Sequence, residues 1–202
     1  LALKRGHEVV LAIDIQNAAE LNKANLDKAD VAIEFTSPES AFANVITCMK
    51  AGIPLVVGST GWLHHLQEAE EACRQHGAAL LVSSNFSVGV NLFFELNKKL
   101  AALMKGHPEY NASMEETHHT QKKDAPSGTA ITLAEQILER LPEKKKWVNA
   151  PQMAPDELSI ISKRIDPAPG THKISYDSTI DTIDIIHTAH NRMGFATGAV
   201  LA

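Results

Sequence analysis

The 202-residue chain is 44% hydrophobic and 21% charged, an ordinary globular composition with room for one large domain or two small ones. Lys and Arg number 19 against 24 Asp and Glu, and the formal charge of −5 argues against a basic nucleic-acid surface. No apolar run approaches the ~20 residues of a membrane span, and Leu1 to Gly6 lacks the form of a signal peptide. Cys48 and Cys73 make no disulfide framework; both fall in helix-like segments and read as buried thiols of a reducing compartment, with the cytoplasm as the expected location. The basic run Lys144-Lys145-Lys146 reads as a solvated loop.

In chain order, Leu1 to Lys4 has the character of a last helical turn, with Gly6 as its stop signal. His7 to Asp14 is strand-like, as is Asp30 to Phe35. Ser37-Pro38 opens a helix to about Ala51, because Ser caps and Pro suits the first helical position; Gly52 ends it. A third strand covers Ile53 to Val57, followed by the turn Gly58 to Gly61, a helix from about Leu63 to His76 and a fourth strand at Ala78 to Val82. Short, continuous apolar strands alternating with helices predict a doubly wound, Rossmann-like parallel nucleotide-binding sheet. Ligands of such sheets bind beyond the carboxyl ends of the strands, here after Ile13, Phe35, Val57 and Val82.

The pattern changes at Val88. A long amphipathic helix to about Met104 precedes a strand at Tyr110 to His119, a loop at Thr120 to Gly128 and a helix at Thr129 to Leu141. Three strand-like runs follow at 158–165, 171–177 and 180–190, and residues 194–202 read as a helix start. This predicts an α+β substrate and oligomerisation domain with a mixed or antiparallel sheet. The expected division is a nucleotide domain at 1–87, with 191–202 returning to it, and a second domain at 88–190. No G-x-G-x-x-G run is present, so the amino-terminal strand and Gly-rich turn of such a fold are expected to lie outside this sequence.

Asp14, at the end of the expected second strand, suits the ribose hydroxyls of NAD. Ile15-Gln16-Asn17 supplies no Arg for a 2′-phosphate, which tilts the expectation to NADH over NADPH. Gly58, Ser59 and Thr60 follow a buried strand and leave room for close approach of a nucleotide to the backbone. Ser83, Ser84, Asn85 and Phe86 would share that crevice. The segment from Glu115 to Ala130 is the densest in chemistry. Ser127, Gly128 and Thr129 open a helix, whose N–H groups and dipole make an anion site suited to a carboxylate. Lys122 offers a point charge and a proton, and His118 and His119 titrate near neutrality. Such a set suits a small polycarboxylate that is protonated during reaction. A metal is not expected. Adjacent His118 and His119 diverge on a strand, as do His187 and His190, and no metal-ligand spacing occurs.

The run Glu116-Thr117-His118-His119-Thr120-Gln121-Lys122-Lys123-Asp124-Ala125-Pro126-Ser127-Gly128-Thr129-Ala130 resembles the dihydrodipicolinate (4-hydroxy-tetrahydrodipicolinate) reductase family, whose pattern E-x-H-H-x-x-K-x-D-A-P-S-G-T-A it matches at every fixed position. Phe35 to Glu39, Val57 to Trp62, Asn85 to Asn91 and Asn191 to Ala199 support the likeness, which extends from about Gly6 to Ala202. The resemblance implies pyridine-nucleotide-dependent reduction of a cyclic imine dicarboxylate in lysine and diaminopimelate biosynthesis. It implies His118 and Lys122 as proton donors, and His119, Gly128 and Thr129 as substrate contacts. It also implies nucleotide contacts at Asp14, Gly58 to Thr60 and Ser83 to Phe86, and a homotetramer joined through the second domain, with no metal. In the family further residues follow the position of Ala202. Two alternatives are another two-domain Rossmann dehydrogenase of a small polycarboxylate and a non-catalytic nucleotide-binding sensor. The first has no reason to carry His118-His119 with Lys122 and the Ser127-Gly128-Thr129 helix start; the second predicts that Lys122→Ala leaves ligand binding and function intact.

Overall fold

Glycine punctuates the first part of the chain as expected: Gly6, Gly52 and Gly77 end their helical segments at φ 84°, 77° and 63°, the left-handed conformation that costs glycine least. The computed structural model describes all 202 residues, which fall into two units: Leu1–Phe86 with Phe195–Ala202, and Ser87–Gly194.

The first unit holds a parallel sheet in the order β1 (Ala32–Glu34), β2 (Leu55–Val57), β3 (Leu80–Val82). Helices α1 (Lys23–Leu26), α2 (Pro38–Ala51) and α3 (Leu66–His76) fill the connections. At the start of α2, Ser37 and Ser40 form a reciprocal capping box, with Pro in the first turn. β2 is central and buried at all three residues. On one side of the sheet Leu55 and Val57 pack with Val45, Met49, Trp62 and Ala69. On the other, Val56 meets Phe86 and Ala199 of α6 (Met193–Leu201). Ile33 and Leu81 flank Val56 and remain about half exposed, so cover on this second face is local.

One expected strand did not form. Residues 7–14 carry no regular structure, with Val9 and Val10 exposed. The run has strand composition, but a strand is stable only with a hydrogen-bonding neighbour, and none of β1 to β3 pairs with it.

The second unit is built on longer strands. Its mixed sheet runs β5 (Lys146–Val148), β6 (Glu157–Arg164), β4 (Asn111–His118), β7 (Gly170–Asp177), β8 (Thr182–Ala189). β5, β6 and β4 are parallel; β7 and β8 run antiparallel. Strict alternation along β4 buries Ala112, Met114, Glu116 and His118 on one face. Met114, Leu158, Ile160, Ile174 and Tyr176 form a floor beneath α4 (Val88–Met104) and α5 (Gly128–Leu138). Buried Asn97 joins the two helices, donating from Nδ2 to Leu133 O and Gln136 Oε1 at 3.0 Å each. The opposite face is polar, with Lys163 2.5 Å from Glu115 and Lys173 2.8 Å from Asp184.

Lys144 departs from the expectation of a solvated basic run. It is 5% exposed, and its three ammonium donors reach Asn111 Oδ1, Pro155 O and Glu157 O at 2.7, 2.9 and 2.9 Å. Three acceptors satisfy a buried ammonium fully, and Lys146 opens strand β5, which the sequence reading missed. Cys48 is buried as expected, whereas Cys73 is only partly so.

Candidate active site

β4 and the loop after it carry the chemistry-bearing segment. Glu116 and His118 are two apart on β4 and so share its buried face, at 1% and 7% exposure. Strand register brings in residues distant in sequence: Glu116 stands opposite His172 of β7, and His118 opposite Arg164 of β6. The Glu116 carboxylate accepts from the Ser127 N–H with both oxygens at 3.1 Å and from Arg164 through Oε1 at 3.2 Å. Its Oε2 lies 3.4 Å from His118 Nδ1 and 3.8 Å from His172 Nε2. The Nδ1 of His118 is buried and makes no aligned hydrogen bond; it is within electrostatic reach of Glu116 but not paired with it.

Electrostatics follows from this packing. Burial pushes His118 below the ordinary imidazole range, Lys122 and Arg164 push the same way, and Glu116 opposes them. Burial, then the His118 charge, lowers His172 to about 4. For Glu116, burial alone would favour the neutral acid, but hydrogen bonding from Ser127 and Ser162 together with the neighbouring His118 holds it below the ordinary carboxylate value.

The helix start expected at Ser127 to Thr129 is present. Ser127 caps α5, its hydroxyl accepting from Ala130 N–H at 3.2 Å and pairing with His172 Nε2 at 3.1 Å. Nothing lies within 4 Å of where a Cβ on Gly128 would stand, so the helix start is open to a ligand. Lys122 does not point alone into this space: both Asp124 oxygens lie 2.8 Å from its ammonium. Arg164 fixes the same loop through the carbonyls of Lys122 and Asp124. His119 faces away from the buried cluster and lies 3.3 Å from Arg192. Gly170 makes room for the key imidazole: its φ is 157°, and a Cβ there would stand 3.1 Å from His118 Nε2.

In the first unit the expected nucleotide loops gather at the carboxyl ends of the strands. Gly58 N–H donates to Glu34 O at 2.9 Å and Ser83 N–H to Val57 O at 3.1 Å. The Phe35 ring occupies the space beside Gly58, where a Cβ would fall 2.1 Å away, and packs 5.7 Å from the Phe86 ring centroid. The close approach that Gly58 permits here is therefore taken by Phe35. Ser59 is buried with an unpartnered hydroxyl, Glu34 keeps an unpartnered Oε2, and Thr60 is exposed. Ser83 is tied to the backbone of Asn85 at 2.9 and 3.2 Å, Asn85 and Phe86 are buried, and Ser84 is exposed. Asp14 does not join this group. It ends no strand; its carboxylate accepts from Gln16 N–H at 2.7 Å in an exposed turn. A cavity of about 790 Å³ beside β1 is lined by Val10, Leu11, Ile33, Glu34, Thr36 and Val56 among others, and by none of the predicted nucleotide residues.

Glu116 as a hub, Arg164, His172 and Arg192 were not assigned roles from the sequence. For Glu116 the signal was present, since alternation puts it on the His118 face. Nothing local marks the others. Spacing along one strand does not reveal that Glu116, His118 and His172 bring donor atoms within 4.8 Å of one another from two strands. Arg164 and Ser127 already occupy that carboxylate.

A parallel α/β unit joined in one chain to an α+β unit with a buried imidazole and an open helix N-terminus is a two-unit, Rossmann-like architecture. Comparison with known proteins narrows this. The description "Dihydrodipicolinate reductase, N-terminus" matches residues 4–86, and "Dihydrodipicolinate reductase, C-terminus" matches residues 89–202. The chain belongs to the dihydrodipicolinate reductase family. It is 48% identical to the 4-hydroxy-tetrahydrodipicolinate reductase of Christiangramia forsetii over its full length, covering 83% of that protein. It is 36% identical to that of Methanococcoides burtonii, with 94% of this chain and 71% of that protein covered. Among solved structures, a dipicolinate-bound dihydrodipicolinate reductase from Paenisporosarcina sp. TG-14 superposes with TM-score 0.69 at 24% identity, covering 98% of this chain and 77% of the other; this likeness shows the shared fold.

Proposed function

We propose that the chain reduces 4-hydroxy-tetrahydrodipicolinate to tetrahydrodipicolinate with a pyridine nucleotide, in lysine and diaminopimelate biosynthesis. The observation that carries the reading is the meeting, within one unit, of a buried imidazole and an open, serine-capped helix start: His118 and Gly128 share the neighbourhood of one buried carboxylate.

The reaction adds one hydride and one proton and releases water from the hydroxylated ring. A bound nicotinamide supplies the hydride. The N-terminus of α5, at Ser127, Gly128 and Thr129, binds one substrate carboxylate, where the positive end of the helix dipole favours an anion. His119, held beside Arg192, makes a second contact to the dianion. His118 carries the proton. In the free protein its low proton affinity keeps the ring neutral near pH 7; a dianion arriving beside it raises that affinity and favours the imidazolium needed by an acid. Lys122, held by Asp124, adds positive charge and a second proton donor at Nζ.

In the first unit, the buried, unpartnered Ser59 hydroxyl at the end of β2 fits a polar ligand, so Gly58 to Thr60 and Ser83 to Phe86 are assigned to the nucleotide. Asp14 is assigned to the adenosine ribose, with NADH preferred over NADPH. The edge strand β8 and exposed Ile183 and Ile186 fit burial against further copies in a homotetramer. No helix is long and apolar enough to cross a membrane, and a cytoplasmic location is proposed.

The test is turnover with substrate made in place by condensing pyruvate with aspartate semialdehyde, following loss of nicotinamide absorbance with NADH and with NADPH. Oxidation that depends on the condensing enzyme supports the reading. A folded protein that binds pyridine-2,6-dicarboxylate without oxidising either nucleotide would instead be a sensor.

A further inference from the structure

We infer that Glu116 is a positioning residue, a single buried anion that fixes both the His118 imidazole and the carboxylate-binding start of α5. This rests on the reductase reading for its kinetic part only. Three independent lines of chain converge on the Glu116 carboxylate. From the α5 cap comes the Ser127 N–H, bound by both oxygens at 3.1 Å. From β6 comes Arg164 at 3.2 Å. Along β4 lies His118 Nδ1 at 3.4 Å, buried and without a hydrogen-bond partner.

The geometry assigns a function beyond support. A ring nitrogen excluded from water, with one buried anion next to it, is best satisfied as Nδ1–H directed at that anion. This leaves Nε2, on the Gly170 side, as the nitrogen that exchanges the proton. A carboxylate behind an imidazole selects its tautomer, orients it and stabilises its cation, the logic of the buried acid in catalytic triads. The contact is long in the free protein, and catalytic hydrogen bonds commonly tighten when ligand binds. Glu116 also reaches the ligand's other anchor, because the Ser127 N–H it holds is the first of the α5 terminus. A dianion settling on that terminus would therefore pull on the group that orients the acid. His172, 3.1 Å from the Ser127 hydroxyl, closes the ring of contacts from β7.

Several charged or titratable groups face His118: Glu116 on its own strand, Lys122 and Asp124 in the following loop, Arg164 on β6 and His172 on β7. Of these, Lys122, Arg164 and a charged His172 disfavour the imidazolium. Glu116 is the buried opposing charge, while Asp124 is exposed and paired with Lys122.

The experiment uses Glu116→Gln, which keeps shape and an amide oxygen for Ser127 but loses the charge, and Glu116→Asp, which keeps the charge but withdraws it. The His118 ring is titrated by NMR with pyridine-2,6-dicarboxylate bound, a readout independent of turnover. The expected result is a lower titration midpoint for Gln and a smaller fall for Asp. With it come a loss of kcat of roughly 10-fold or more for Gln, a smaller change in KM, and displacement of the acid-dependent limb of the rate profile to lower pH. Ser127→Ala, which breaks the cap and keeps the anion, should raise KM while leaving the His118 titration in place. An unchanged His118 midpoint in Glu116→Gln overturns the inference, as do Gln and Asp variants with equal midpoints. If the Gln variant does not fold, a midpoint for Asp equal to wild type overturns it as well. A wild-type protein without turnover whose midpoint still moves supports the positioning role and removes only the reductase reading.

Discussion

The two units solve the same problem, holding polar groups at strand ends, with very different strand lengths and burial. In the first unit the strands are three residues long, one sheet face is partly open, and the Ser59 and Ser83 loops follow β2 and β3 directly, beside the Phe35 and Phe86 rings. In the second, four strands run eight residues each, and the polar site is buried on the same face as the apolar core and crossed by bonds from β4, β6, β7 and α5. Burial makes each of those polar groups dependent on its partners. In the second unit several strands at once hold the buried polar groups in place, whereas the short strands of the first carry theirs in the loops that follow them.

The sharpest way to break this contrast is to remove the proton carriers. His118→Gln or Lys122→Ala should lower kcat by roughly 100-fold or more with binding of pyridine-2,6-dicarboxylate largely retained. Loss of binding without a rate effect at saturation would make these residues mere ligand contacts. Close behind comes Gly170→Ala. The added Cβ would stand 3.1 Å from His118 Nε2, at a φ of 157° that side chains rarely adopt. A drop in kcat on the order of 10-fold and a stability loss of about 1–3 kcal/mol are expected. A fully active, equally stable variant would show that the imidazole is less tightly placed than its surroundings suggest.

These effects concentrate where the sequence was least legible. Local signals sufficed for much of the fold. The serine cap and first-turn proline of α2, the glycines after α2 and α3, and the apolar spacing of α4 each specify a conformation over a few residues. The His118 to Thr129 segment was legible for the same reason, being continuous in sequence. The hub was not, because Glu116 meets His172, and His118 meets Arg164, only through strand register, which is set by how whole strands align. The His7 to Asp14 run failed in the opposite way: composition favoured a strand, but pairing decides whether one forms. The same failure removed the strand end on which the Asp14 argument depended.

Stability against pH should separate the units next. His172 is held at about 4 against an ordinary value of 6.5, chiefly by burial. Below pH 6.5 the unfolded chain takes up a proton that the folded protein refuses, so stability is full above that pH and declines as pH falls toward 4. The displacement corresponds to roughly 3 kcal/mol as an upper bound. Urea unfolding between pH 7 and 4 should show this decline, and His172→Gln should flatten it even if the variant is less stable at pH 7. A decline of equal steepness in the variant would place the acid sensitivity elsewhere.

The smallest expected effect tests the first unit. Ile15 is 94% exposed, so Ile15→Arg removes no packing and should leave stability unchanged. It puts a guanidinium next to Asp14, whose carboxylate is engaged by the Gln16 N–H on one oxygen. If Asp14 meets the adenosine ribose, that guanidinium can offset the repulsion between Asp14 and a 2′-phosphate. Exposed charge pairs contribute about 1 kcal/mol or less, so the ratio of kcat/KM for NADPH over NADH should rise only about 5-fold, mostly through KM, and the gain should shrink with added salt. A ratio that stays fixed would mean that the exposed Asp14 turn does not meet the ribose. The coenzyme preference would then have to be sought among the loops after β1, β2 and β3.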